Sequence, residues 1–126
     1  MRWKEIYGGL YLLSEKGDVR NNFPLSRRCR HDYRGRLLIP YVTKKGYLRL
    51  EVSPDRKGVA VLVHNLVAKV FVGPRPKGKE VNHKDTNKLN NWYWNLEYLT
   101  HAENIRHAVA HGLYGKKKRE RNGQNT

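Results

Sequence analysis

From Val81 to Ile105 the chain reads V-N-H-K-D-T-N-K-L-N-N-W-Y-W-N-L-E-Y-L-T-H-A-E-N-I, and this stretch decides the fold. Lys79-Glu80-Val81 leads in as a short strand, and His83 falls where that strand ends. Asp85-Thr86-Asn87-Lys88-Leu89-Asn90-Asn91 follows as a loop, because Asp and Asn side chains bond nearby backbone and tolerate left-handed geometry. Asn95-Leu96-Glu97-Tyr98-Leu99 alternates like a second strand. Thr100 then opens a helix with a capping box, T-H-A-E, in which the hydroxyl accepts from the Glu103 amide and the carboxylate reaches back. Ala102, Ile105 and Val109 recur at helical spacing on an expected buried side, and Gly112 is a natural stop. The unit is strand, loop, strand, helix.

Upstream, Leu48, Leu50 and Val52 share one face of a strand whose other face carries Tyr47, Arg49 and Glu51. The turn S-P-D-R-K-G at 53–58 sends the chain back through V-A-V-L-V, which makes a hairpin. Residues 37–42, L-L-I-P-Y-V, read as a strand that Pro40 pushes to an edge or bulge. From His64 to Phe71 the spacing turns helical, with Leu66, Val67, Val70 and Phe71 as an apolar stripe. His64 opens this helix and reads as a structural hydrogen-bonding group. The Pro- and Gly-rich loop 73–78 ends it. Nearer the N-terminus, clusters flanking Gly8-Gly9, a turn at 15–18 and Val19 suggest three short strands, either a small meander or an edge decoration of the core. The fold class is therefore α+β. Residues 1–56 form an antiparallel β module with an arginine-rich loop, 57–114 the main unit, and 115–126 a basic tail expected to be disordered when free.

A chain of 126 residues suffices for one modest core. Lys and Arg number 26 against 11 Asp and Glu, a formal charge of +15 that favours a polyanionic partner. Nucleic acid leads, with an anionic membrane surface or a role as a very basic structural protein as alternatives. No apolar run reaches the length of a membrane span, and the N-terminus lacks the apolar region of a secretory signal. Cys29 is the single cysteine, so there is neither an internal disulfide nor a Cys-rich zinc site. A cytosolic protein is the simplest reading.

Arg27, Arg28, Arg30, Arg34 and Arg36 stand together in a segment without apolar periodicity. They make either a solvated basic loop or a set of phosphate contacts, for which the forked, permanently charged guanidinium is suited. Arg49 carries the same two readings. Asn104 lies one turn into the last helix, and if that helix packs across the hairpin, Asn104 and His83 can converge. A neutral imidazole beside a divalent cation can take a proton from water and generate a nucleophile for phosphodiester cleavage. The amide oxygens of Asn82 and Asn104 are hard ligands suited to Mg²⁺ or Mn²⁺. An idle, partly exposed His83 is the competing reading.

Taken in order, V-N-H-K-D-T-N-K-L-N-N, N-L-E-Y-L-T and A-E-N-I-R-H-A resemble the HNH nuclease family in its phage homing-endonuclease branch. V-H-N-L-V-A-K-V-F-V at 63–72 looks like the helix that precedes the motif in that branch. W3-K-E-I with G-L-Y, Ser14 and G-D-V-R20 looks like the small module often joined to these nucleases. The resemblance spans most of residues 1–112. It implies the ββα-metal fold, one catalytic divalent ion (Mg²⁺ or Mn²⁺), and hydrolysis of double-stranded DNA to a 5′-phosphate and a 3′-hydroxyl. By position it makes His83 the general base, Asn95 a brace for the loop and the base, and Asn82 and Asn104 the metal ligands. Neither metal position is a carboxylate here. Two neutral amides bind Mg²⁺ weakly, so affinity is expected to depend on DNA phosphate arriving with the ion. Homing relatives often carry a C-terminal helix-turn-helix; none follows here, so recognition of a long site is not expected.

Around this unit His101 is placed to bind phosphate or orient the metal shell, and Arg106 to contact phosphate. Trp92, Tyr93 and Trp94 either stack on bases or pack the hairpin against the helix. The expectation is a metal-dependent DNA endonuclease, phage-encoded and acting in host cytoplasm, with no small-molecule cofactor and either a monomer or a homodimer. A nucleic-acid-binding protein with weak or absent catalysis on the same scaffold is the alternative, and a basic structural or ribosome-associated protein the third reading.

Overall fold

A computed structural model describes residues 1–22, 35–55 and 57–112. Arg27, Arg28, Arg30, Arg34, Cys29 and the tail from 115 lie outside the described residues.

Among the described residues the chain builds three small antiparallel sheets and two α-helical segments, with short 3₁₀ turns between. Strands β1 (Trp3–Ile6), β2 (Tyr11–Ser14) and β3 (Val19–Asn21) form an N-terminal meander in that order, as the clusters around Gly8-Gly9 suggest. Strands β4 (Tyr41–Val42), β5 (Leu48–Val52) and β6 (Val59–Leu62) form the second sheet, in which Leu50 lies opposite Val61 and Val52 opposite Val59. The alternation read in residues 48–52 holds: Leu50 and Val52 are buried while Arg49 and Glu51 face solvent. Helix α1 (Val63–Val67) follows at once and widens into a π turn at Ala68–Val72. Strands β7 (Lys79–His83) and β8 (Leu96–Thr100) make a two-stranded ribbon, and helix α2 (His101–Ala110) crosses it.

One hydrophobic cluster holds all of this together. Ile6, Tyr11, Leu13 and Val19 come from the first sheet and Leu50 and Val52 from the second. Val63, Val67 and Ala68 come from the helical segment and Leu96 from β8. Removing these side chains from water is the main favourable term in the fold. The core therefore draws on both sides of residue 56. Polar ties run the same way: the Ser53 amide donates to the Tyr11 hydroxyl at 2.8 Å, and the Tyr93 amide to the Glu15 carbonyl at 2.9 Å. Gly17, at φ +98°, lets the β2–β3 turn press against α1. A Cβ there would lie 2.6 Å from Val63 Cγ1 and 3.4 Å from Asn91 Cβ.

Four expectations need correction. Only Tyr41 and Val42 of the segment 37–42 join a strand, with Leu37 held by an isolated bridge to Arg20, since Pro40 cannot donate to a ladder. The helix expected over 64–71 is α-helical only to Val67 and then loosens into the π turn. The second ribbon strand starts at Leu96, and Asn95 closes a 3₁₀ turn instead. Of the residues expected on the buried side of α2, Ile105 is half-buried while Ala102 and Val109 are exposed, Val109 by 53%. α2 covers the outer face of a thin ribbon, so no residue of it reaches the core.

Candidate active site

The loop between β7 and β8 is tied up by its own polar side chains. Asp85 Oδ1 accepts from the Asn87 amide at 2.8 Å and from Asn95 Nδ2 at 2.9 Å; Asp85 Oδ2 accepts from Asn90 Nδ2 at 2.8 Å. Asn95, 1% exposed, also donates to the Asn90 carbonyl at 2.9 Å and accepts from the Asp85 amide at 3.1 Å. Its own carbonyl accepts from the Lys84 amide at 2.8 Å. Asn95 thus grips both ends of the loop with every polar group it has. The turn needs this grip, because Thr86 sits at φ +65°. Desolvation alone would raise Asp85, but the bonds from Asn90, the Asn87 amide and Asn95, with the field of His83, hold its carboxyl below its usual range.

His83 closes β7 and is 5% exposed. Its Nε2–H donates to Asn91 Oδ1 at 2.8 Å, which leaves Nδ1 with the lone pair and, among the described residues, without a hydrogen-bond partner. Burial pushes its pKa below the ordinary value; Asn91 and Asp85 pull back and Lys88 adds to the lowering. The ring is neutral at physiological pH and can accept a proton. The ring centroid of His64 lies 5.3 Å away, edge on, and the Tyr47 ring lies tilted beside both. His64 is itself 7% exposed, its Nδ1 is buried without a partner among the described residues, and burial, His83 and Arg75 bring its pKa to about 4.

The ribbon register sorts the remaining residues by face. Successive side chains of a strand alternate, so Val81 and His83 share one face with their partners Tyr98 and Leu96, which pack in the core. Glu80 and Asn82 share the other face, and α2 lies on it: Asn104 Nδ2 donates to Glu80 Oε1 at 2.6 Å. Asn82 is 8% exposed, with its Nδ2 buried and, among the described residues, unpartnered. Helix and ribbon thus bring Asn104 to the Asn82 face, while His83 emerges on the opposite face at the strand end. Among the described residues no hydrogen bond joins His83 to Asn104. Glu80 and Asn104 line a cleft of about 270 Å³ together with His64, Asn65 and Arg75.

The other residues named from sequence lie around this centre. His101, its side chain 79% exposed, sits 3.4 Å from Glu80 Oε1, and Arg106 is exposed on α2. Arg49 borders a groove of about 690 Å³ with Lys44, Lys45 and Tyr41. Arg36 is exposed beside β3, where its carbonyl accepts from the Asn21 amide at 3.0 Å. Tyr93 packs on Phe71 against the core. Trp92 and Trp94 stack at 6.2 Å, with Trp94 54% exposed. Sequence reasoning missed Glu80, His64, Asn91 and Arg75 as neighbours of the site. Glu80 carried a usable signal, since it stands two residues before Asn82 on an alternating strand. The pairing of His64 with His83 left no local trace.

An antiparallel ribbon closed by an Asn-braced loop, with a buried histidine at the end of its first strand and a capped helix across one face, defines a ββα unit. The HNH endonuclease family model matches residues 61–106, which contain both ribbon strands, the loop and the first half of α2, and the chain belongs to that family. It is 34% identical over 113 residues to the uncharacterized HNH endonuclease L245 of Acanthamoeba polyphaga mimivirus, covering 89% of this chain and 31% of that protein. Over 74 residues it is 47% identical to a protein of Bacillus subtilis strain 168 named "SPbeta prophage-derived putative HNH homing endonuclease YosQ", covering 58% of this chain and 43% of that one. A solved structure described as DNA binding and cleavage by the HNH homing endonuclease I-HmuI superposes with a TM-score of 0.75. Its sequence identity is 31%, with 99% of this chain and 68% of that chain covered. The chain spans less than half the length of L245 and of YosQ.

Proposed function

We propose that this chain is a divalent-metal-dependent DNA endonuclease of the homing type in which His83 activates water. The observation that carries the reading is the state of His83: buried, neutral, and tethered through Nε2 so that Nδ1 keeps its lone pair. In the proposed step, Nδ1 accepts a proton from water as the water oxygen attacks phosphorus. The bond from phosphorus to the 3′ oxygen breaks, leaving a 5′-phosphate and a 3′-hydroxyl once solvent protonates the leaving oxygen. Asn95 acts as a brace, since its bonds fix the loop that carries Asn91, the partner of His83.

The residues on the helix-side face fit a hard cation. Asn82 and Asn104 offer amide oxygens, and the Asn104 amino group is already engaged, which turns its oxygen outward. When bound there, Mg²⁺ or Mn²⁺ would supply positive charge to the phosphate and the leaving oxygen of a strand lying across the end of β7, between the Asn82 face and His83. Arg36, Arg49, His101 and Arg106, with Arg27, Arg28, Arg30 and Arg34, are the proposed phosphate contacts along double-stranded DNA. The formal charge of +15 makes backbone attraction the main source of affinity. Among the described residues no helix is long and apolar enough to cross a membrane. A phage-encoded enzyme of this kind would work in host cytoplasm.

Supercoiled plasmid incubated with Mg²⁺, Mn²⁺ or EDTA tests the reading. The wild-type chain is expected to cut in either metal and not in EDTA. His83→Ala is expected to lose cleavage by about two to four orders of magnitude while shifting DNA on a gel as the parent does. Cleavage by His83→Ala at the parental rate would remove His83 as the base. A salt-sensitive gel shift without metal-dependent cutting by the wild type would identify a binding protein instead.

A further inference from the structure

We infer that Glu80 is the carboxylate of the metal centre: it turns the Asn104 amide so that its oxygen faces the ion, and it brings the negative charge that Asn82 and Asn104 lack. The inference rests on the metal-dependent reading above.

A primary amide has one accepting side and one donating side. Only the oxygen can serve a cation, so the amino group must be held elsewhere. Glu80 Oε1 does this, accepting from Asn104 Nδ2 at 2.6 Å, a charge-assisted bond between β7 and α2. Such a partner fixes a ligand's orientation and raises its basicity. Glu80 also shares the Asn82 face of β7, two residues away. Its side chain is 43% exposed, and Oε2 makes no hydrogen bond among the described residues, so this carboxylate can meet an ion in the cleft.

The charge count points the same way. Two neutral amides give Mg²⁺ or Mn²⁺ hard oxygens and no charge, whereas carboxylates dominate sites for such ions. The cleft that holds Glu80 and Asn104 is otherwise lined by neutral groups and by Arg75, which would repel a cation unaided. The competing role, an ion pair pinning the start of α2, rests on a 3.4 Å contact to a His101 side chain that is 79% exposed. That contact is too long and too wet to add much, so the 2.6 Å bond to Asn104 is what places Glu80. The variants below separate a mere helix tie from a part in the metal centre.

The test titrates Mn²⁺ into the full chain bound to an uncleavable phosphorothioate duplex and follows the free-ion EPR signal. The wild type is expected to bind the ion, and Glu80→Gln to bind it about ten- to a hundred-fold more weakly. The melting temperature of Glu80→Gln and its gel shift in EDTA should remain parental. Glu80→Asp, which keeps the charge, is expected to bind Mn²⁺ more tightly than Glu80→Gln; equal affinities would overturn the charge argument. If Glu80→Gln binds Mn²⁺ like the wild type while Asn104→Ala does not, Glu80 has no part in the centre and the metal reading stands. If the wild type binds no Mn²⁺ on DNA, both fall together.

Discussion

His64 and His83, with ring centroids 5.3 Å apart, are both driven toward the neutral form, His64 to about 4 from the ordinary 6.5. Burial is the leading cause for each, and His83 further disfavours a charge on His64. The sign of the consequence follows from linkage. Below pH 6.5 the unfolded chain takes up protons that the folded His64 refuses until about pH 4. Stability from this residue is complete above the unfolded value and drains away as pH falls toward the folded one. In NMR the His64 ring signals should stay still from pH 7 to about pH 5. A His64 titration centred on its ordinary value would mean that the ring is not buried as described. The sequence legibly marked His83, Asn95, Asn82 and Asn104 as the residues to inspect, because residue type and order suffice to single them out. It could not mark their partners. His64, Glu80 and Asn91 matter through contacts between elements, and no local spacing encodes those.

At the scale of elements, α2 leans heavily on its first turn. No residue of it is buried, so the capping box must do what core packing does for other helices. The Thr100 hydroxyl accepts from the Glu103 amide at 3.2 Å, and the Thr100 amide donates to the Glu103 carboxylate at 2.9 Å. Thr100→Ala is expected to cost about 1 kcal/mol in urea unfolding and to speed amide exchange at Glu103. Unchanged exchange at that amide would show that the ribbon, not the cap, fixes the helix start. This box was fully legible, since its chemistry is confined to four consecutive residues. The π turn at Ala68–Val72 was not. There the Gly73 amide reaches back to the Ala68 carbonyl at 2.9 Å, and the Tyr98 hydroxyl donates to the Gly73 carbonyl at 2.8 Å. A bond from β8 settles how this helical stretch ends, and apolar spacing within the stretch cannot report it.

For the whole molecule, Gly17 is the point where the N-terminal sheet meets both α1 and the loop that holds His83. Gly17→Ala puts a methyl 2.6 Å from Val63 Cγ1 at a left-handed backbone position. Its expected cost is about 1–3 kcal/mol, read as a lower melting temperature. A melting temperature equal to the parent's would mean that the β2–β3 turn does not press on α1. The strand order of the N-terminal meander and of the β5–β6 hairpin was legible from alternation and turn residues. The sharing of one core among all three sheets was not, because pattern shows which face is apolar and not what covers it.

That shared core bears on transplantation. Anyone lifting residues 79–110 into a new scaffold carries away the ribbon, the braced loop and the capped helix but leaves their floor behind. Leu96 belongs to a core shared with the first two sheets and α1, and the Tyr93 amide donates to the Glu15 carbonyl. A recipient scaffold must supply an apolar bed for Leu96, an acceptor for the Tyr93 amide and a flat, side-chain-free surface like that of Gly17 beneath Asn91. The smallest portable form of this site is therefore much larger than the motif by which it is recognised.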